Sequence, residues 1–226
     1  MSKSSIVENK TIPYLNSLGI NKIDLVILTH GDYDHVGEFQ NLKNNIKIGK
    51  VLINKGNINN IEKDIIKYKN VEKVNSSYNF YGYDLLFLNN KIYNDENENS
   101  IVTYLNIKNK NILLMGDADK KVEQNIIKEY NLPKMDILKV GHHGSKTSSD
   151  VNFIKQINPS YSVISVGKNN RYGHPNKEVL QLLSNTNILR TDETGSIKFV
   201  FKQNMVNKLV CKPYIIVERW CMIRRF

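Results

Sequence analysis

Short apolar runs and helically spaced apolar positions alternate along most of this chain. Ile12, Leu15 and Leu18 recur at helical spacing and Gly19 follows as a stop, which predicts a helix over residues 5–18. Ile23–Thr29 is a short apolar run suited to a buried strand. The polar loop His30–Gly37 follows, then a helix to about Asn44; a strand over 50–54 and a helix over 60–68 repeat the alternation. Between 78 and 107 the character changes. Residues 80–88 and 101–107 read as strands separated by the polar loop 89–99, and Lys108–Asn111 connects tightly into a strand over 112–115, forming a hairpin. A helix over 119–130 carries Val122, Ile126 and Ile127 on one face. Strands over 136–140, 161–166 and 197–201, with helices near 148–157 and 176–184, complete the pattern. Alternation at one end and hairpins in the middle predict a mixed α/β domain with helices covering sheets.

Composition narrows the class. A chain of 226 residues suffices for one domain with a real core, expected over 1–203, with 204–226 as an unassigned tail. Leu209–Val217 reads as a strand within that tail, whereas Trp220–Phe226 fits no pattern. The two cysteines, Cys211 and Cys221, cannot make a disulfide framework or a four-cysteine zinc site. No signal-peptide core is present and no apolar run approaches the ~18 residues of a membrane helix. As it stands, the sequence therefore reads as a cytoplasmic chain without a membrane span. The net charge of +10 suits nucleic acid or another polyanion, but Lys, Asn, Ile and Tyr are abundant throughout, so charge alone does not decide.

Four polar loops, each following an expected strand, hold all five histidines. Thr29-His30-Gly31-Asp32-Tyr33-Asp34-His35-Val36-Gly37 packs imidazoles and carboxylates at a strand end, where ligands converge on one point. Gly116-Asp117-Ala118-Asp119 offers a carboxylate that can bridge cations, with Asp119 better suited to capping the next helix. An EF-hand is excluded because the required Gly and terminal Glu are absent. In Gly141-His142-His143-Gly144-Ser145-Lys146-Thr147-Ser148-Ser149, adjacent side chains of an extended segment point opposite ways, so one histidine ligates while the other packs or meets substrate. Its hydroxyls and amides suit a phosphate, or Ser148 or Ser149 caps a helix. Lys168-Asn169-Asn170-Arg171-Tyr172-Gly173-His174-Pro175 combines cations, amides, an aromatic ring and a histidine, which suits phosphate and sugar contacts and equally suits a polar surface loop.

These residues together carry a specific resemblance. His30-Gly31-Asp32-Tyr33-Asp34-His35 resembles the His-x-His-x-Asp-His loop of the metallo-β-lactamase fold, with Asp32 in place of the second histidine. That replacement is similar to the metallo-β-lactamase-like domain of ComEC-type DNA-uptake (competence) proteins. Asn99-Ser100-Ile101-Val102, Met115-Gly116-Asp117, the run Leu138–Lys146, the segment Val163–Pro175 and Arg190-Thr191-Asp192 with Gly195 extend it over roughly residues 5–200. The resemblance implies an αββα sandwich with a dinuclear centre: one cation on His30 and Asp32, the other on Asp34, His35 and His142, with Asp117 bridging. It implies metal-dependent hydrolysis of a phosphodiester in DNA, with Asp34 and His174 catalytic. His143, Ser145, Lys146, Lys168, Asn170, Arg171 and Tyr172 would contact substrate.

The sequence departs from the fold's pattern in two places. No histidine lies between His35 and His142, so the first cation site is rich in oxygen, and manganese or magnesium is expected ahead of zinc for the two divalent ions of the centre. Few residues precede the first expected strand, so the first N-terminal strands of the sandwich are expected to be missing and apolar surface exposed. A longer parent protein (a membrane channel, for a ComEC-type chain), a partner chain or a second copy would cover it. The competing readings are a small-molecule hydrolase acting on a lactone, thioester or β-lactam, and an inactive DNA-binding remnant.

Overall fold

The computed structural model describes residues 5–202 and 205–211. Residues 212–226, including part of the expected strand 209–217 and the Trp220–Phe226 tail, lie outside the described residues. A π-helical stretch, Val7–Thr11, runs directly into α1 (Ile12–Ser17), which ends before Gly19 at φ +67°. The parallel strands β1 (Lys22–Leu28), β2 (Lys47–Ile53) and β3 (Val71–Lys73) make the first sheet. The expected single helix after the first loop is two short ones, α2 (Tyr33–Val36) and α3 (Phe39–Asn45), and α4 (Glu62–Ile65) precedes β3. Glu38 lies at the break between α2 and α3, and its carboxylate accepts from the backbone N–H groups of Ile6 and Val7.

The second sheet has seven strands. β4 (Ser77–Phe80), β5 (Tyr83–Phe87), β6 (Thr103–Ile107) and β7 (Lys110–Leu114) form an antiparallel meander. Lys108 and Asn109 turn the β6–β7 hairpin with φ of +49° and +61°, as a two-residue turn that matches strand twist requires. β8 (Ile137–Lys139), β9 (Tyr161–Ile164) and β10 (Asn187–Arg190) then add in parallel to β7. The crossovers are α5 (Lys120–Glu129), α6 (Val151–Ile157) and α7 (Lys177–Leu182), capped by the side chains of Asp119, Asp150 and Asn176. The Asp119 cap matches the sequence expectation. At α6, Asp150 takes the capping role expected of Ser148 or Ser149, because Ser148 Oγ donates to the carbonyls of Gly141 and Ser145. After α8 (Thr191–Thr194), β11 (Ser196–Lys202) pairs antiparallel with β12 (Met205–Cys211), a hairpin that spans the position where the sequence suggests the domain ends.

Three apolar layers hold the fold together as an αββα sandwich. Ile23, Val26 and Leu28 of β1 pack with Val7, Leu15, Phe39 and Leu42 of the N-terminal helices. Leu25 and Ile27, on the opposite face of β1, meet Phe80, Leu85, Phe87 and Leu105 of the second sheet. That sheet's far face packs on Val122, Ile126, Phe153 and Val179 of the crossover helices. β1 is a sheet edge, and the expectation of exposed apolar surface fails there: Leu25, Val26, Ile27 and Leu28 are at most 3% exposed. The physical reason is that one face of β1 is covered by the N-terminal helices and the other by the second sheet. Among the described residues, no helix is long and apolar enough to cross a membrane.

Candidate metal centre

The chemistry-bearing loops follow β1, β7, β8 and β9, at strand C-termini that meet along one edge of the sandwich. Ile101 N–H donates to the carbonyl of Thr29 at 2.8 Å, which joins the two sheets there. The first loop is fixed from outside itself: Gly31 N–H donates to Glu96 Oε1 at 2.6 Å, and Asn59 Nδ2 donates to the Gly31 carbonyl. It turns into α2, which carries Asp34 and His35 inward. His30 and His35 are 1% and 4% exposed, with ring centroids 4.1 Å apart.

Two overlapping groups of donors converge. His30, His35 and Asp117 offer ligand atoms within 4.8 Å of one another, and so do Asp34, His35 and His143. His35 Nε2 and His143 Nε2 each lie 3.2 Å from Asp117 Oδ2, and His143 Nε2 lies 3.6 Å from Asp34. Asp32 stands at the rim, 45% exposed, with a carboxylate oxygen 3.7 Å from His30 Nε2.

The donor set fits divalent cations on an observation of the structure itself. The Nε2 atoms of His30, His35 and His143 and Oδ1 of Asp117 are buried without a properly directed hydrogen bond, which is costly unless something else satisfies them. The opposite ring nitrogens are all engaged. Thr29 Oγ1 lies 3.1 Å from His30 Nδ1 and 3.2 Å from His35 Nδ1, and Ser100 Oγ lies 3.2 Å from His30 Nδ1. His143 Nδ1 lies 2.6 Å from the Ser165 carbonyl, an acceptor only, so Nδ1 carries a hydrogen and Nε2 is the ring nitrogen turned to Asp117 and Asp34. Such partners fix the tautomer of ligating histidines.

The titrating groups at the centre act on one another. Burial pulls the His35 imidazole down to about 4. Burial also works to lower His143, but Asp117 and Asp34 outweigh it and push the group up to about 9. Burial raises the Asp117 carboxyl, yet His143 and His35 hold it well below the usual carboxylate range. Lys139 Nζ donates to the Gly116 carbonyl at 2.9 Å and lies 3.9 Å from Asp117, adding a fixed positive charge beside the shared carboxylate.

The structure exchanges the two adjacent histidines. His143, expected to meet substrate, faces Asp117 and Asp34. His142, expected as a ligand, stands in neither donor group; its Nδ1 lies 3.2 Å from Thr147 Oγ1 and its ring faces His174, 6.0 Å away. The alternation argument fails because the segment is a tight turn in which His142 and His143 both have left-handed backbone, φ 45° and 55°.

The remaining expected residues divide. Ser145 is buried, its hydroxyl bonded to the Thr147 N–H and hydroxyl, so it shapes the turn. Asn170 clips its own loop: Nδ2 donates to the carbonyls of Gly167 and His174, and Oδ1 accepts from His174 N–H. Lys146, Lys168, Arg171 and Tyr172 are exposed, and His174 is half-buried. Sequence reasoning passed over Thr29, Ser100, Glu96, Lys139 and Ser165. Thr29 and Ser100 lie inside the quoted motifs, where the sequence assigns them no role of their own. Ser165 acts through its backbone carbonyl, which no side-chain pattern reveals.

Comparison with known proteins agrees with this geometry. Residues 2–168 match the family model described as the metallo-beta-lactamase superfamily. ComE operon protein 3 of Bacillus subtilis is 34% identical over 93% of this chain, and competence protein ComA of Neisseria gonorrhoeae is 32% identical over 83%. The chain spans only 29% and 27% of those relatives' own lengths. Among solved structures, the metallo-beta-lactamase fold protein YhfI of Bacillus subtilis aligns over 83% of this chain with a TM-score of 0.53 at 13% identity, a likeness of fold alone. A chain whose buried imidazoles and shared aspartate converge at this edge of this sandwich, and whose sequence matches over these residues, belongs to the metallo-beta-lactamase superfamily.

Proposed function

We propose that this chain is a metal-dependent phosphodiesterase that cleaves DNA. Superfamily membership makes it a hydrolase in general class; the substrate and the ions are our reading. The observation that carries it is the convergence of three buried, unsatisfied imidazole nitrogens on Asp117, with two half-exposed aspartates at the open rim.

His30, Asp32 and Asp117 would hold one divalent ion and Asp34, His35, His143 and Asp117 a second. Bound there, the ions would supply Lewis-acid stabilisation of the charge that develops on a phosphodiester. Manganese suits the mixture of imidazole and carboxylate; magnesium suits it less because three imidazoles converge. Asp34, whose side chain is 39% exposed, stands where solvent meets the donors and can hold a proton of the attacking water. Burial, His142 and His143 lower the His174 imidazole, which is therefore neutral at pH 7 and able to hydrogen-bond beside the reacting group. The exposed cations Lys146, Lys168 and Arg171 and the net charge of +10 suit a phosphate backbone. The resemblance to DNA-uptake proteins, with one relative named as a competence protein, favours DNA as the polymer.

The test is hydrolysis of oligodeoxynucleotides with added manganese, comparing wild type with His30→Ala and Asp34→Ala. Cleavage lost in both variants supports the reading. A manganese-loaded wild type that leaves every DNA and simple phosphodiester substrate intact overturns it.

A further inference from the structure

The loop between β9 and α7 carries a large aromatic ring that the fold does not bury. Tyr172 is 66% exposed. Its hydroxyl accepts from Arg171 Nη2 at 2.7 Å, and the Arg171 guanidinium lies over its ring, 4.9 Å from the centroid. The ring is nearly parallel to that of His174, at 19° with centroids 5.9 Å apart, an offset stack that leaves part of each face uncovered.

This surface points back to the metal centre through successive rings. His174 meets His142 at 6.0 Å between centroids, and His142 meets His143 at 6.3 Å. The loop is held at both ends. At its start the Ser165 carbonyl accepts from His143 Nδ1, and at its end Asn176 N–H donates to the Gly144 carbonyl at 2.8 Å. Asn170 closes it internally with three hydrogen bonds, two of them to the backbone of His174. The ring is thus presented on a fixed loop beside the donors, with a cation on its own face. An exposed aromatic face next to a guanidinium is the chemistry on which unpaired nucleobases stack.

We infer that Arg171, Tyr172 and His174 form a stacking platform for an unpaired nucleobase beside the metal centre, which makes the site select single-stranded over duplex DNA. Bases within a duplex are already stacked and paired and cannot reach the ring without being extruded. The inference rests on the phosphodiesterase reading for the identity of the polymer, while its test reads binding.

The experiment measures fluorescence anisotropy of labelled oligothymidylate with EDTA present, so that no ion-dependent cleavage intervenes. The comparison ligands are an equally long strand of tetrahydrofuran abasic sites, with the same phosphates and no bases, and a blunt duplex. Wild type should bind oligothymidylate about tenfold more tightly than the abasic strand. Tyr172→Ala should remove that preference, and Tyr172→Phe should retain it. Equal wild-type affinity for the two strands overturns the inference, as does a preference that survives Tyr172→Ala. Cleavage in manganese separates the two readings. A strand cut without any base preference sinks the platform alone, and a base preference in a protein that cuts nothing sinks the phosphodiesterase reading alone.

Discussion

His143 donates its Nδ1 hydrogen to the carbonyl of Ser165 across 2.6 Å, and this bond decides which end of the imidazole faces Asp117. With Nδ1 engaged, Nε2 is the nitrogen left to face the two carboxylates, and a cation bound there would take the place of its proton. His142, one residue earlier, has Thr147 Oγ1 beside its Nδ1 and stands outside both donor groups found among the described residues.

The two histidines should therefore differ in metal binding. His143→Ala is expected to weaken manganese binding by at least ~100-fold, since loss of a supporting partner alone costs about 10- to 100-fold. His142→Ala should stay within about threefold of wild type. Isothermal titration of the chelated protein with manganese reads both, and a larger loss at His142 would contradict the ligand set.

Thr29 serves two rings with one hydroxyl, lying 3.1 Å from His30 Nδ1 and 3.2 Å from His35 Nδ1. Thr29→Val keeps the shape and removes that oxygen. Manganese affinity should fall about tenfold, while Thr29→Ser should restore it. Paramagnetic resonance of the unbound ion measures the free concentration directly.

Glu123 gives the chain a pH dependence remote from the metal centre. The residue is 1% exposed, its carboxylate accepts from the N–H groups of Ser149 and Asp150, and burial pushes it up from 4.5 to about 8. A carboxyl raised in the folded state contributes full stability below pH 4.5 and loses it as pH rises toward 8, because the native state alone then keeps the proton. The slope cannot exceed roughly 1.4 kcal/mol per pH unit for one group. Glu123→Gln should flatten this fall, so the difference in urea unfolding free energy between variant and wild type should change across that window and level off on either side.

Gly144 and Gly19 both have left-handed backbone, with φ +78° and +67°, but only one is enclosed. A Cβ on Gly144 would lie 2.7 Å from Cβ of Pro175, whereas at Gly19 nothing stands within 4 Å. Gly19→Ala should cost about 1 kcal/mol from backbone conformation. Gly144→Ala should cost about 2–4 kcal/mol, adding overpacking at the base of the loop. Equal losses in urea unfolding would show that Pro175 yields freely.

The legible parts of this fold were those where one physical signal dominates. Leu25–Leu28 is apolar on both faces because β1 lies between two cores, so the strand is legible directly. β3 and β10, of three and four residues, carry too little periodicity to register, and neither was foreseen. The break between α2 and α3 was also invisible, since Glu38 acts by accepting from a segment some thirty residues away. At the site, the loops were evident from their histidines and aspartates. The assignment within the His142–His143 pair was not, because it depends on backbone handedness.

That handedness has a consequence for the protein's motions. Two successive non-glycine residues in left-handed conformation cost about 1–2 kcal/mol each relative to ordinary backbone, and the turn that imposes them is short. A cation held by His143 would add its bond to the hydrogen bonds that hold this turn shut, which otherwise act alone. Amide hydrogen exchange over residues 141–145 should therefore quicken on chelation more than anywhere in the crossover helices, so that the backbone of one strained turn reports whether the centre is loaded.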